Sequence, residues 1–269
     1  MDGFNLENEY KSESEIALER AKKEELSGRA PILAKWLKVL FWFSVIGGTL
    51  SSIVSVALSF FIGYVGSYAP ERTTAFKIIM AAMAVVLGMV YVVIFYMLSQ
   101  AVSRFKVLMY FQLASIAVSV FSDFAISTSN INRFSISTFL SSILSLAIAG
   151  LSIYKLYCEC SAYREAVCDL DSKLALKWKK YWTRMWVGIV AYFGATVVVT
   201  IITAVLAVVG SVSSALVGSD MNYASAFIPL IVVVFAGLIY FIVLGIQYLC
   251  YLYKTAKTFE KYCVENGVD

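Results

Sequence analysis

Residue types that could do chemistry are scarce in this sequence, and the absences exclude several reactions. The 269-residue chain contains no histidine. It can therefore hold no histidine-dependent nucleophile triad, no histidine-ligated zinc or haem and no histidine proton shuttle. No phosphate-binding loop, dinucleotide fingerprint or nucleophile elbow occurs either. We therefore expect no catalytic site and a protein that is not an enzyme.

Four of the five cysteines could in principle meet at a metal ion: Cys158, Cys160, Cys168 and Cys263. On a continuous helix, however, Cys158 and Cys160 point about 200° apart, so they chelate one ion only if the helix unwinds. No cysteine falls in a predicted outer loop, so no disulfide framework is expected. We expect reduced, inert thiols, no metal and no cofactor. A four-thiolate site and acylation at the inner face are the alternatives.

Carboxylates cluster only outside the apolar segments, at Glu159, Glu165, Asp169 and Asp171. Lysines are interspersed among them, which favours a solvated helix. Carboxylates within membrane segments are the usual sign of ion-coupled transport. Their absence argues against proton-coupled or cation-coupled transport, but leaves uncoupled movement of an uncharged solute open.

Serine and threonine recur every three or four residues along several apolar segments. Small residues at this spacing allow helix backbones to approach closely, so helix packing is the simpler interpretation. A polar pathway between the helices is the alternative. The residues that would line it are Ser55 in the first segment, Ser145 in the fourth, and Thr196, Thr200 and Thr203 in the fifth, with Ser115 and Ser119 in the third.

Gln247 is a polar side chain deep in the last apolar segment. An amide in hydrocarbon needs hydrogen-bond partners, and a neighbouring helix can supply them. We interpret Gln247 as structural, with contact to a ligand as the alternative.

The composition requires a membrane environment for these residues. The chain is 60% hydrophobic and 15% charged, whereas soluble domains have about 45–50% and 25%. Five charge-free runs of 21 to 35 residues exceed or match the roughly 20 residues that cross a bilayer, and one shorter run of 16 residues completes the set. We predict six transmembrane helices, at about 37–63, 77–99, 107–125, 135–156, 185–214 and 226–250.

Basic residues give the orientation. The segments that would share a side with the termini hold 19 of the 22 lysines and arginines, and the opposite side holds Arg72, Lys77 and Arg133. Because Lys and Arg resist translocation, both termini should lie in the cytoplasm. Basic residues at this face suit anionic lipids of the inner leaflet, and no basic soluble module points to nucleic acid.

Residues 168–185 have the pattern of an amphipathic helix in the membrane interface. At 100° per residue, the apolar face carries Leu174, Trp178 and Trp182, and the adjacent face is rich in lysine. We expect this helix to lie along the inner leaflet and then turn into the fifth span. The expected membrane-surface anchors are Lys173, Lys177, Trp178, Lys180 and Trp182.

The sequence thus predicts an all-α, multi-pass protein of the cell membrane, with six spans arranged as three helical hairpins. A charged N-terminal segment (1–36) would begin with a short helix that Gly28 and Pro31 end. The transmembrane domain (37–253) would include an inner linker (157–184), and a cytoplasmic tail (254–269) would follow. We expect an interaction or regulatory subunit whose partners are the lipid bilayer and other membrane proteins or a second copy of itself. The alternative is a carrier of an uncharged, amphipathic or lipid-like small molecule.

Overall fold

A computed structural model of the chain describes residues 13–68, 70–127, 136–217 and 228–268. Throughout these ranges the ordered elements are α-helices, so the predicted all-α class is confirmed. The six helices are α1 (Glu13–Tyr68), α2 (Pro70–Ser99), α3 (Arg104–Ser127), α4 (Ile136–Val167), α5 (Ser172–Val217) and α6 (Ile228–Asn266).

Among the residues that the structure describes, four helices are long and apolar enough to cross a membrane. The qualifying stretches are Glu15–Leu50, Ala81–Ser99, Ser172–Val205 and Ile231–Asn266. They carry the hydropathy and length that a bilayer core of about 30 Å demands. The chain therefore has the helices of a membrane-embedded protein, while the count of six spans stays a prediction.

The helices form a closed ring. Each packs against its neighbours in the chain, α6 closes the ring on α1, and α4 also contacts α6 across it. Two tight connections join α2 to α3 and α4 to α5. Because every helix has two such neighbours, the contacts do not single out three helical hairpins.

The tightest packing lies at one end of the ring, which we call the packed base. Its buried residues recur every three or four positions, so each helix presents one continuous stripe to the others. The largest fully buried side chains there are Trp178, Tyr163, Phe95, Phe105, Phe259, Leu33, Leu37, Leu40, Ile94, Leu98, Leu108 and Leu252.

Helix α1 continues through the residues that were expected to end it. It spans 56 residues, about 84 Å, with Pro31 inside. An interior proline costs about 3 kcal/mol. Burial of a leucine side chain contributes about 1.5–3 kcal/mol. Leu33 and Leu37 are both fully buried, and α1 packs against α2 and α6. The prediction of a helix stop at Gly28 and Pro31 is therefore wrong.

Helix α5 also runs unbroken from its first residue into its apolar part. Asp171 caps it, because the Asp171 carboxylate accepts a 2.9 Å hydrogen bond from the backbone N–H of Leu174. The predicted turn between an interfacial helix and the fifth span is therefore absent from α5, and the prediction is wrong on that point.

Helix α6 extends well beyond its apolar part. It ends at Asn266, where Gly267 adopts φ +62° and the Val268 N–H bonds the Cys263 carbonyl at 3.0 Å. This is the glycine-terminated helix end that only a residue without a side chain adopts at low cost. The segment predicted as a tail thus continues α6, and Phe259 within it is fully buried.

The parts of the helices away from the base expose large apolar side chains. Phe60 is 77% exposed, Ile53 67% and Val86 63%, and residues along the outer faces of α5 and α6 are similarly open. Exposed apolar surface on this scale is not tolerated in water. These faces are suited to contact lipid.

Candidate functional site

The packed base contains a buried polar network centred on α4. Lys155, Glu159 and Tyr163 follow one another at intervals of four residues, so they share one helix face. That face points towards α3 and α6, where their partners lie. The solvated-helix interpretation holds for Asp169, which is exposed and paired with Arg29 at 2.5 Å, but it is wrong for Glu159.

Two tyrosines share the Glu159 carboxylate. The Tyr163 hydroxyl donates to Glu159 Oε1 at 2.7 Å, and the Tyr248 hydroxyl on α6 donates to the same oxygen. The two hydroxyls are themselves 3.1 Å apart. Burial, and then the negative charge of Glu159, raise the pKa of Tyr163 well above its ordinary value. Tyr163 therefore keeps its proton and remains a donor to the carboxylate.

Lys155 places a positive charge one turn from this carboxylate. Its ammonium donates to the side-chain oxygen of Gln112 on α3 and lies 6.0 Å from the ring centroids of Tyr91 and Phe95 on α2. An ammonium at that distance from an aromatic face is attracted by the ring quadrupole. The Tyr91 hydroxyl in turn donates to Ser44 Oγ on α1 at 3.5 Å. Polar contacts thus connect α1, α2, α3 and α4.

Trp178 and Thr255 complete the ring of contacts through α5 and α6. The indole N–H of Trp178 donates to Thr255 Oγ1 at 3.0 Å, and Thr255 Oγ1 donates to the Tyr251 carbonyl at 2.8 Å. The Trp178 ring also lies 4.7 Å from the Tyr163 ring, measured between centroids. Every helix therefore contributes a polar or aromatic group to the base.

The predicted membrane anchors differ in their exposure. Lys173, Lys177 and Lys180 are exposed, and Trp182 is half-buried against Tyr157. Trp178, by contrast, is fully buried in the base. The same 3.6-residue periodicity that indicates an interfacial helix also produces a core stripe, and α6 covers this one. The prediction that Trp178 contacts lipid is thereby corrected, while the anchoring role of the other four stays a prediction.

The predicted hydroxyl stripe differs in exposure along α5. Thr196 is half-buried and donates to the carbonyl of Tyr192, one turn back, at 2.8 Å; Thr200 is exposed, and Thr203 is buried. Ser115 on α3 and Ser152 on α4 likewise donate to carbonyls of their own helices, at 2.8 and 2.9 Å. Such back-bonding satisfies a hydroxyl without a partner helix.

Ser55 and Ser145 are within α1 and α4, but their side chains lie outside the described residues. Gln247 is half-buried on α6, and its buried side-chain oxygen has no hydrogen-bond partner in the described part of the chain. A buried acceptor without a partner costs about 1–3 kcal/mol. The predicted interhelical hydrogen bond is thus not seen for this oxygen.

Two clefts open beside the base. One of about 280 Å³ lies between α4 and α5, with walls of Tyr154, Tyr157, Trp182 and Trp186. The other, about 120 Å³, lies between α2 and α3 and is lined in part by Gln112, Ser115 and Ser119.

The cysteines are poorly placed to bind a metal ion. Within the described ranges, no three Cys, Asp or Glu side chains lie close enough together to hold one. Cys160 is buried, and this burial, followed by the charge of Glu159, raises the pKa of its thiol. A metal ligand must be the thiolate, so a protonated Cys160 is a poor ligand.

Comparisons of the chain with protein-family models, with curated proteins and with solved structures give no match. The geometry therefore carries the functional argument alone.

Proposed function

We propose that this chain is a six-span protein of the cell membrane, with both termini in the cytoplasm, that acts as an interaction or regulatory subunit. Four helices meet the length and hydropathy criterion for a span. The other two, α3 and α4, occupy places between them in the same ring, which supports a common membrane region for all six.

The ion pairs at the packed base support the orientation. Arg29 pairs with Asp169 at 2.5 Å, Lys38 of α1 pairs with Glu260 of α6 at 2.9 Å, and Arg104 of α3 pairs with Glu165 of α4. These residues belong to the segments whose basic excess predicts the cytoplasmic side. The base then faces the cytoplasm.

One observation carries the proposal of a subunit: the base is filled. Trp178, Tyr163 and Phe105 are fully buried at its centre. Trp178 donates a hydrogen bond to Thr255 on α6, and the Tyr163 hydroxyl donates to Glu159 on its own helix and lies 3.1 Å from that of Tyr248 on α6. A solute path through the ring would have to displace these rings and break the bonds to Glu159. The back-bonded hydroxyls of the apolar helices also favour packing over a hydrated path.

The surface that a partner would use is the charged exterior of the base. Residues 15–25 of α1 are exposed, and so are Lys257, Glu260 and Lys261 on α6. Both signs of charge alternate there, which suits a polar partner on the cytoplasmic side.

Site-specific photocrosslinking in intact cells tests this proposal. A photoreactive residue is placed at Glu24 or Lys257 on the base, and at Val86, an exposed apolar position, as the matched control. We expect adducts of one or a few fixed masses from the base positions and none from Val86. Failure of both base positions to give a discrete adduct would contradict a subunit that docks through the base.

A carrier of an uncharged small molecule is the second candidate, favoured by the cleft between α2 and α3. Its lining includes Ser115 and Ser119 of the predicted stripe, with Gln112 beside them. Proteoliposome swelling with uncharged solutes tests it. A carrier would show protein-dependent flux that Ala84→Phe, which fills this cleft, reduces; a subunit would show no flux.

A further inference from the structure

The cleft between α4 and α5 has the walls of a site for a hydrocarbon chain. The aromatic rings of Tyr157 and Trp182 are 5.2 Å apart, and Trp182 stacks on Trp186 at 6.2 Å, all between centroids. Gly150 and Ile153 complete the lining. Lining residues of this type are apolar over most of their surface, so the cleft favours an apolar occupant.

The volume and the opening of the cleft limit what that occupant can be. About 280 Å³ is close to the lower end of the range for small-molecule sites. Tyr154, Tyr157 and Trp186 in its walls are exposed, so the cleft is open to the surroundings between two neighbouring helices. It therefore holds part of a molecule, such as one chain of a lipid, whose remainder stays in the bilayer.

Two basic side chains lie towards the cytoplasmic end of the cleft. Arg164 is two turns beyond Tyr157 on the same face of α4, and Lys179 is one turn before Trp182 on α5. Both are exposed, and neither forms an ion pair with a residue that the structure describes. The nearby Arg104, by contrast, is paired with Glu165. Arg164 and Lys179 therefore place positive charge, not neutralised by any described carboxylate, at this end of an apolar cleft.

We propose that the cleft binds one phospholipid with an anionic headgroup from the inner leaflet. One acyl chain lies between the aromatic walls, and the phosphate binds Arg164 and Lys179. The aromatic rings occupy the level between chain and headgroup, where Trp and Tyr are most stable. A zwitterionic phospholipid also carries a phosphate, but its choline ammonium would lie beside the two basic side chains and repel them. A sterol has no phosphate and would leave the two charges without partners. This inference rests on the proposed membrane location and on the proposed orientation.

Glycine substitutions allow the cleft to be filled without disturbing the helices. A side chain added at Gly150 meets nothing within 4 Å, and the same holds for Gly194 on α5, which does not line the cleft. Gly150→Leu therefore occupies the cleft, and Gly194→Leu is the matched control. A separate double variant, Arg164→Gln with Lys179→Gln, removes the charge and keeps the cleft open.

The experiment titrates the purified protein in a neutral detergent with phosphatidylglycerol or phosphatidylcholine carrying brominated acyl chains, and follows quenching of tryptophan fluorescence. Bromine quenches an indole only at close range. Trp42 is exposed as well, so every protein in the titration carries Trp42→Phe, and Trp182 and Trp186 then report on occupancy. Because each basic residue near an anionic headgroup is worth about 1 kcal/mol, we expect phosphatidylglycerol to bind about 10-fold tighter or more than phosphatidylcholine.

The variants decide the outcome. Gly150→Leu should weaken the binding of phosphatidylglycerol by about 10-fold, because the leucine displaces buried hydrocarbon of the acyl chain, whereas Gly194→Leu should leave the affinity unchanged. The double charge variant should bring the two lipids to nearly equal affinity. Equal binding of both lipids by the unmodified protein, no difference between the two glycine variants, or displacement of the brominated lipid by a sterol would each overturn the proposal. Base photocrosslinks that persist alongside such a result would show that the lipid site has failed and the proposed function has not.

Discussion

The hydroxyl of Tyr163 lies 2.7 Å from the carboxylate of Glu159, one turn earlier on α4. Tyr248 donates to the same carboxylate from α6, so a single charged group holds two helices together inside the packed base. In a bundle whose apolar outer faces contact lipid, helix association gains little from burial of further hydrocarbon. Directional contacts of this kind then decide which helix faces meet.

Replacing Glu159 with glutamine should lower the free energy of unfolding by about 1–3 kcal/mol, because two buried phenols lose a charged acceptor. Thermal unfolding in detergent, followed by intrinsic fluorescence, measures the effect. Glu265→Gln is the control, since Glu265 is exposed and its ion pair among the described residues is with Lys261 on its own helix, at 3.5 Å. Such surface pairs contribute about 0–1 kcal/mol. Equal effects of the two substitutions would contradict the network.

Glycines at the contact between α5 and α6 should be sensitive to a single methyl group. A Cβ at Gly188 would collide with the ring of Tyr240, and one at Gly237 with the ring of Tyr192. We expect Gly188→Ala and Gly237→Ala each to destabilise the protein by about 1–3 kcal/mol, the typical cost of overpacking.

Substitution of Gly194 or Gly245 by alanine should have the opposite effect on stability. Each lies in a helix with nothing within 4 Å of an added Cβ. There the alanine variants should be neutral or more stable by up to about 1 kcal/mol, because alanine favours helix more than glycine does. Denaturation of all four variants side by side checks the contrast. If Gly188→Ala proves as stable as Gly194→Ala, α5 and α6 do not approach in this way.

Pro31→Ala should stabilise the protein by about 1–3 kcal/mol. Pro31 lies inside α1, where it removes a backbone hydrogen bond and crowds the preceding turn. Alanine restores the backbone hydrogen bond and relieves the crowding, and α1 is already helical on either side of this position. A loss of stability in the same unfolding assay would show instead that the helix ends near this residue, as Gly28 and Pro31 suggest from the sequence.

The thiol of Cys168 should react with maleimide only at higher pH than a free cysteine does. Burial, and then the carboxylate of Asp169, raise its pKa. The thiolate is the reactive form, so a higher pKa leaves less of it at a given pH. Asp169→Asn should move the pH profile of the rate to lower pH, and Asp169→Glu should leave it nearer that of the unmodified protein. Peptide-level mass spectrometry after timed labelling measures the rate. A profile that Asp169→Asn leaves in place would contradict this contact.

Local periodicity predicts the helices of this fold but not the sides they present to one another. The spacing of Leu174, Trp178 and Tyr181 indicates an apolar face, and the structure has that face. Whether lipid or α6 covers this face depends on a helix far along the chain: Trp178 donates to Thr255, which is 77 residues later. The predicted helix stop at Pro31 is wrong for a related reason: burial of side chains such as Leu33 and Leu37 against other helices outweighs the local cost of the proline.

The polar network escaped sequence reasoning although part of its signal is local. Lys155, Glu159 and Tyr163 stand at intervals of four residues, which predicts one shared face. The sequence instead groups Glu159 with the nearby Glu165 and Asp169, whose charges do lie at the surface or in ion pairs. The partner Tyr248 is 89 residues away and carries no local signal.

Thiol accessibility in intact membranes tests the central claim, a bundle closed by its packed base, most directly. Single cysteines at Thr196 and Thr203 on α5, and at Lys257 on the base, are exposed to a small, membrane-impermeant thiol reagent from each side in turn. We expect protection of Thr196→Cys and Thr203→Cys from both sides, with Lys257→Cys labelled only from the cytoplasmic side. Rapid labelling of Thr203→Cys from either side would contradict it and favour a carrier with a hydrated path.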